Sequence, residues 1–140
     1  MQRKHIDRLK KLAKHLMEGK LGHKKFDFND YNGFPGNHEG PKNKCGTIGC
    51  ALGECPVIFK KHWAFSSGGM PVLRTAVPDE FHGAVSSAQE YFGIHHDEAM
   101  HLFHPNNQEP QLYGGRKLGF YAKRESVARN ILAFIEKKAQ

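Results

Sequence analysis

Three cysteines, Cys45, Cys50 and Cys55, stand at five-residue intervals in the stretch KNKCGTIGCALGECPVIF. Thiols so placed suggest zinc binding, nucleophilic attack or simple burial. Structural zinc needs pairs of ligands two to four residues apart that converge from tight turns. A five-residue step on a helix turns by about 500°, so successive thiols face different sides, and no metal is expected. Cys45 has a different character, because a thiol just before a helix meets unpaired amide hydrogens and the positive end of the helix dipole, which favour the thiolate. That is the setting of a nucleophile, and His38, His62, His82, His96 and His101 are all open as its base.

The neighbouring small residues suggest a structural role. Gly46, Gly49, Cys50 and Gly53 fall at i, i+3, i+4 and i+7, so one side of a helix over Thr47 to Glu54 would be small from end to end. Another helix, a backbone turn or a ligand could approach that side closely. Cys50 then acts as a small, inert hydrophobe. Pro56 biases Cys55 away from helical angles and sets the end of the helix, which is apolar nearly all round and therefore expected to be buried.

Two other stretches carry chemistry. Asp97, His101 and His104 lie at i, i+4 and i+7 and could meet a metal or form a solvated face; Pro105 follows at once, and no metal is assigned. The segment YGGRKLGFYAKR interleaves cations with aromatics, and its glycines would let the backbone approach a phosphate. Its expected ligand-binding residues are Tyr113, Arg116, Lys117, Tyr121, Lys123 and Arg124, of which the four charges are read as exposed and contributing little to stability.

The elements that would position these residues follow from periodicity. Ile6, Leu9, Leu12, Ala13, Leu16 and Met17 mark an amphipathic helix closed by Gly19 and Gly22. KKFDFNDYN reads as an extended segment pinned by Phe26 and Phe28, and GFPGNHEGPKNK as a loop. Residues 56–78 are open between a hairpin and a helix followed by a strand. Phe81, Val85, Ala88 and Phe92 mark a helix with Asp79 and Glu80 in its first turn, ended by Gly93. A shorter helix turns Ala99, Leu102 and Phe103 inward, and a terminal one presents Val127, Ile131, Leu132 and Ile135. No internal repeat or low-complexity segment appears.

The 140 residues hold 21 Lys and Arg against 14 Asp and Glu, a formal charge of +7. Such a balance favours acidic partners, although a scattered excess also serves solubility alone. An odd number of cysteines without a wider framework argues against a disulfide scaffold and fits a reducing cytoplasm. Neither a signal peptide nor a membrane span is expected.

KFDFNDYN, then CGTIGCALG, then YFGIHHDEAMHLFHP and a closing VARNILAFI resemble an uncharacterised family of small phage and bacterial proteins. That family shares a Cys-Gly-Thr-x-x-Cys-x-x-Gly motif, and the likeness runs in order along nearly the whole chain. It implies no particular activity. CGTIGC is also similar to the Cys-Gly-Ser-Cys-Trp run of papain-like proteases, but four residues separate its cysteines where the proteases have two.

The expectation is one mainly α domain over 1–140, with minor β content, a short buried Gly and Cys helix, amphipathic helices at both termini and a few short strands. The expected function is that of a small non-enzymatic, phage-type binding or accessory protein in the cytoplasm, the host's if phage-encoded. It would act on a host component or a phosphate-bearing ligand. Its partner would be a nucleotide, nucleic acid or acidic host protein, with no cofactor and no membrane. The alternative is a cysteine-dependent hydrolase using Cys45 and one of the histidines.

Overall fold

The computed structural model describes residues 1–19, 51–66, 70–75, 83–104, 110–119 and 122–140. Cys45, Gly46, Gly49, Cys50 and Tyr121 lie outside them, as do the Phe-Asp segment and its loop.

The described chain is mainly helical with one small sheet. α1 (Arg3–Glu18) buries Leu9, Leu12, Ala13 and Leu16, a stripe set by steps of three and one. Each of its buried leucines stabilises the fold by roughly 1.5–3 kcal/mol relative to an exposed one. Met17 stays exposed. Gly19 ends the helix in the left-handed region, at φ 75°, and donates its N–H to His15 O.

After Ala51 the chain makes a 3-10 turn, Leu52–Glu54, that runs directly into α2 (Cys55–Ile58). The expected helix end at Glu54 is therefore corrected. Cys55 has helical angles, φ −58° and ψ −42°, because Pro56 falls in the first turn of α2, where its missing N–H has no helical partner to lose. Burial of this stretch agrees with expectation: Ala51, Leu52, Gly53, Glu54 and Cys55 are all buried.

Among the described residues of 56–75, a helical turn is followed by two short antiparallel strands. β1 (Trp63–Phe65) pairs antiparallel with β2 (Pro71–Leu73), in the register Trp63 to Leu73, Ala64 to Val72 and Phe65 to Pro71. Leu73 N–H donates to Ser87 Oγ at 3.0 Å and so ties β2 to α3 (Ala84–Phe92). That helix starts later than its periodicity implies. Gly83 is extended, at φ −104° and ψ −167°, and forms the N-cap, so the first turn of α3 holds no acidic residue; Asp79 and Glu80 lie outside the described residues.

α4 (His96–Phe103) turns Ala99, Leu102 and Phe103 inward. Glu98 accepts from His95 N–H and from Lys138 Nζ, both at 2.8 Å, linking α4 to α6 (Arg124–Lys138). Burial alone would raise the Glu98 carboxyl, but these two donors outweigh it and hold the group below its ordinary value. Between them lies the short α5 (Pro110–Tyr113). On α6 the buried stripe is Val127, Ala128, Ile131, Phe134 and Ile135, whereas Leu132 is 42% exposed. One step past Ile131 rotates a side chain by about 100°, enough to carry Leu132 off the stripe.

α1 and α6 form the most extensive helix contact. Arg124 closes it, because its Nη1 donates to Leu16 O at 2.7 Å and Met17 O at 3.2 Å, carbonyls of the last turn of α1. A Cβ on Gly19 would lie 2.8 Å from the Arg124 guanidinium carbon. Arg124 therefore holds the two terminal helices together, and its replacement is not neutral for stability as an exposed charge would be. Arg124→Gln should lower unfolding free energy by about 1–2 kcal/mol in urea titrations, whereas Lys123→Gln should stay within about 0.5 kcal/mol of wild type. Equal, negligible effects would show that the guanidinium caps nothing.

Candidate functional site

Basic residues distant in sequence meet at one groove. Asp7, Arg8 and Lys11 of α1, Ile58 of α2, Phe59 to His62 of the following turn, and Tyr91 of α3 line a cavity of about 520 Å³. Volume of this order suits one small ligand. α1 presents Arg8 and Lys11 three residues apart, hence on one face, while the turn that follows α2 at Phe59 contributes Lys60, Lys61 and His62 to the same cavity.

Tyr91 fixes the geometry. Arg8 lies over its ring, 3.9 Å from the centroid, and donates from Nη1 to Tyr91 O at 2.8 Å. The phenol oxygen is 2.9 Å from His62 Nδ1. Burial pushes the phenol above its ordinary value, against the opposing charge of Arg8, so it remains an O–H at neutral pH. Lys11 Nζ stands 5.5 Å from the Phe59 ring centroid. Four cationic side chains and a histidine thus surround an apolar floor, opposed by the one Asp7 carboxylate, which also pairs with Arg3 at 3.5 Å. Such an arrangement attracts an anion that also carries an apolar body.

The expected 113–124 segment is organised differently. Tyr113 is half-buried, its ring 5.3 Å from His101 and 6.5 Å from Phe134. Gly114 O accepts from His101 Nε2 at 2.9 Å, and Gly114, at φ 87°, sits so close to α6 that a Cβ would lie 2.8 Å from Ala133 O. Asn130 takes both backbone groups of Arg116, accepting from its N–H at 2.9 Å and donating to its O at 2.8 Å. The glycine thus serves close packing on α6, and this backbone is already engaged where the sequence suggests an approach to phosphate. The side chains of Lys117 and Lys123 are exposed, as is Arg116.

The remaining sequence candidates separate as well. Burial lowers His101, whose ring is turned to Gly114, and His104 has left the helix, at φ −113° and ψ 135°. Among the described residues no three His, Cys, Asp or Glu side chains could hold a metal. Cys55 is buried, and burial, reinforced by the Glu54 charge, pushes its thiol well above the ordinary range. Gly53 is buried in the 3-10 turn.

Sequence reasoning missed Arg8, Lys11 and Tyr91, together with Lys60 and Lys61 as partners of α1. It also missed the buried pair of Glu54, 0% exposed, and His15, 12% exposed, whose Oε1 and Nε2 are 2.8 Å apart. The available signal was the Lys60, Lys61 and His62 triplet beside an aromatic; its partners lie some fifty residues upstream.

No family model, curated protein or solved structure matches the chain.

Arg8 is as much a structural as a site residue. Arg8→Met should keep its aliphatic cover but lose the hydrogen bond and ring contact, lowering unfolding free energy by about 1–2 kcal/mol, measured by urea titration. Lys61→Gln should leave stability within about 0.5 kcal/mol. An Arg8 variant as stable as wild type would mean that Tyr91 does not depend on it.

Proposed function

We propose that the chain is a small non-enzymatic binding protein whose ligand bears phosphate and is held in the groove between α1 and the turn after α2. The observation that carries this reading is the convergence of Arg8, Lys11, Lys60 and Lys61 on one cavity floored by Ile58, Phe59 and Tyr91. The excess of basic over acidic residues supports it by raising the local concentration of anions. The alternative, a hydrolase using Cys45, rests on a residue outside the described ones, and of its candidate bases His62 and His101 are engaged with Tyr91 and Gly114. On the resemblance to the phage and bacterial family, the protein is an accessory factor that works in the cytoplasm, on a host component or on such a ligand.

A panel of nucleotides and oligonucleotides, titrated at low and rising salt, tests the reading. Affinity should fall steeply with salt, since neutralised phosphates release counterions. Replacing Lys60 and Lys61 by Gln should weaken binding about tenfold or more, whereas replacing Lys117 and Lys123 should weaken it less than about twofold. The reverse ranking would move the site to the 113–124 segment. No binding at low salt would refute the phosphate reading and leave an acidic host protein as the partner.

A further inference from the structure

The contact between His62 Nδ1 and the Tyr91 hydroxyl allows three proton arrangements, and only one suits an anion. If neutral His62 leaves Nδ1 bare, the imidazole accepts the phenol hydrogen, and Tyr91 turns only lone pairs toward the groove. If neutral His62 carries its proton on Nδ1, its Nε2 is the bare acceptor. The imidazolium has neither defect. Its Nδ1–H donates to the Tyr91 oxygen, the phenol hydrogen is released toward an acceptor, Nε2–H becomes a second donor, and a further positive charge appears. Tyr91 remains the neutral partner throughout, because burial keeps its hydroxyl protonated.

The charged and titratable surroundings come from every adjoining element. Asp7, Arg8 and Lys11 face His62 from α1, Lys60 and Lys61 adjoin it in the turn, and Tyr91 faces it from α3. Arg74, following β2, donates from Nε to Lys60 O at 2.8 Å and from its backbone N–H to His62 O at 2.8 Å. An anion seated among these groups favours the charged form of an imidazole beside it. A phosphate monoester carries about −1.5 to −2 at neutral pH, more than the single charge of a diester, and therefore gains more from such a cluster. The groove, of about 520 Å³, is of a size that suits one small ligand.

Resting on the phosphate reading above, we infer that the groove is a site for phosphate monoesters, in which the His62 and Tyr91 pair takes up a proton as the terminal phosphate binds. The proton comes from solvent, and no covalent bond is made or broken.

Calorimetric titration of the full chain with adenosine monophosphate, at low salt in two buffers of different ionisation enthalpy, tests this inference. Net proton uptake is expected in wild type, beyond any release from the nucleotide's own phosphate. His62→Gln, at an exposed position, should abolish the uptake and weaken binding about fivefold or more. Tyr91→Phe retains the ring beneath Arg8 and should likewise weaken binding about fivefold or more. Cyclic adenosine monophosphate, a diester with the same base, should bind at least about tenfold more weakly.

Binding without proton uptake, uptake that survives His62→Gln, or equal affinity for the cyclic diester would each overturn the inference while leaving a phosphate site at Lys60 and Lys61 standing. Should neither adenosine monophosphate nor inorganic phosphate bind wild type at low salt, the phosphate reading itself falls, and this inference with it.

Discussion

The ring of Tyr91 lies edge-on to Phe59, Trp63 and Phe92, with centroids 5.0, 5.6 and 5.3 Å away, and its opposite obligations lie at the surface, to Arg8 and His62. Edge-to-face packing of this kind contributes roughly 0.5–1.5 kcal/mol per pair beyond simple burial. Because one residue takes part in both sets of contacts, the groove wall at Tyr91 is tied to the aromatic core beneath it. α3 places Tyr91 and Phe92 in succession, so Phe92 carries the packing inward to Phe103 of α4 while Tyr91 meets α1 and the turn after α2.

The same logic explains why the basic residues are not equivalent. Arg124 caps α1, and Arg8 is bound to a carbonyl and a ring, so two cations that composition counts as surface charge are committed to packing. Lys11, Lys60 and Lys61 keep their heads exposed beside an apolar floor, where long stems can pack and ammonium groups can reach a ligand. Near Gly114, by contrast, Asn130 takes the Arg116 N–H that a phosphate would need, and His101 and Asn130 hold the Gly114 and Arg116 carbonyls against the fold. Charge in the chain is therefore a poor guide to where an anion binds until the hydrogen-bonding commitments of each cation and backbone group are known.

Helices α1, α4 and α6 are legible in the sequence because their apolar residues recur at helical steps and Gly19 or Pro105 marks an end. Errors arose where a local rule met a competing geometry. Pro56 was free to join a first turn, Gly83 could adopt an extended cap, and Leu132 sat one step off a stripe that Phe134 completes. The groove was illegible for a different reason. Its partners on the turn and on α3 lie some fifty and some eighty residues from α1, and no periodicity or spacing records that α1 will face them. The buried Glu54 and His15 pair was hidden likewise, since each is an ordinary polar residue until the fold removes it from water.

The most direct test of the account is amide chemical-shift mapping of the labelled protein during titration with inorganic phosphate at low salt. The account predicts saturable shifts at Arg8, Lys60, Lys61, His62 and Tyr91, residues brought together only by the fold. Saturable shifts confined to Tyr113, Arg116, Lys117, Lys123 and their neighbours, or none at all, would contradict it.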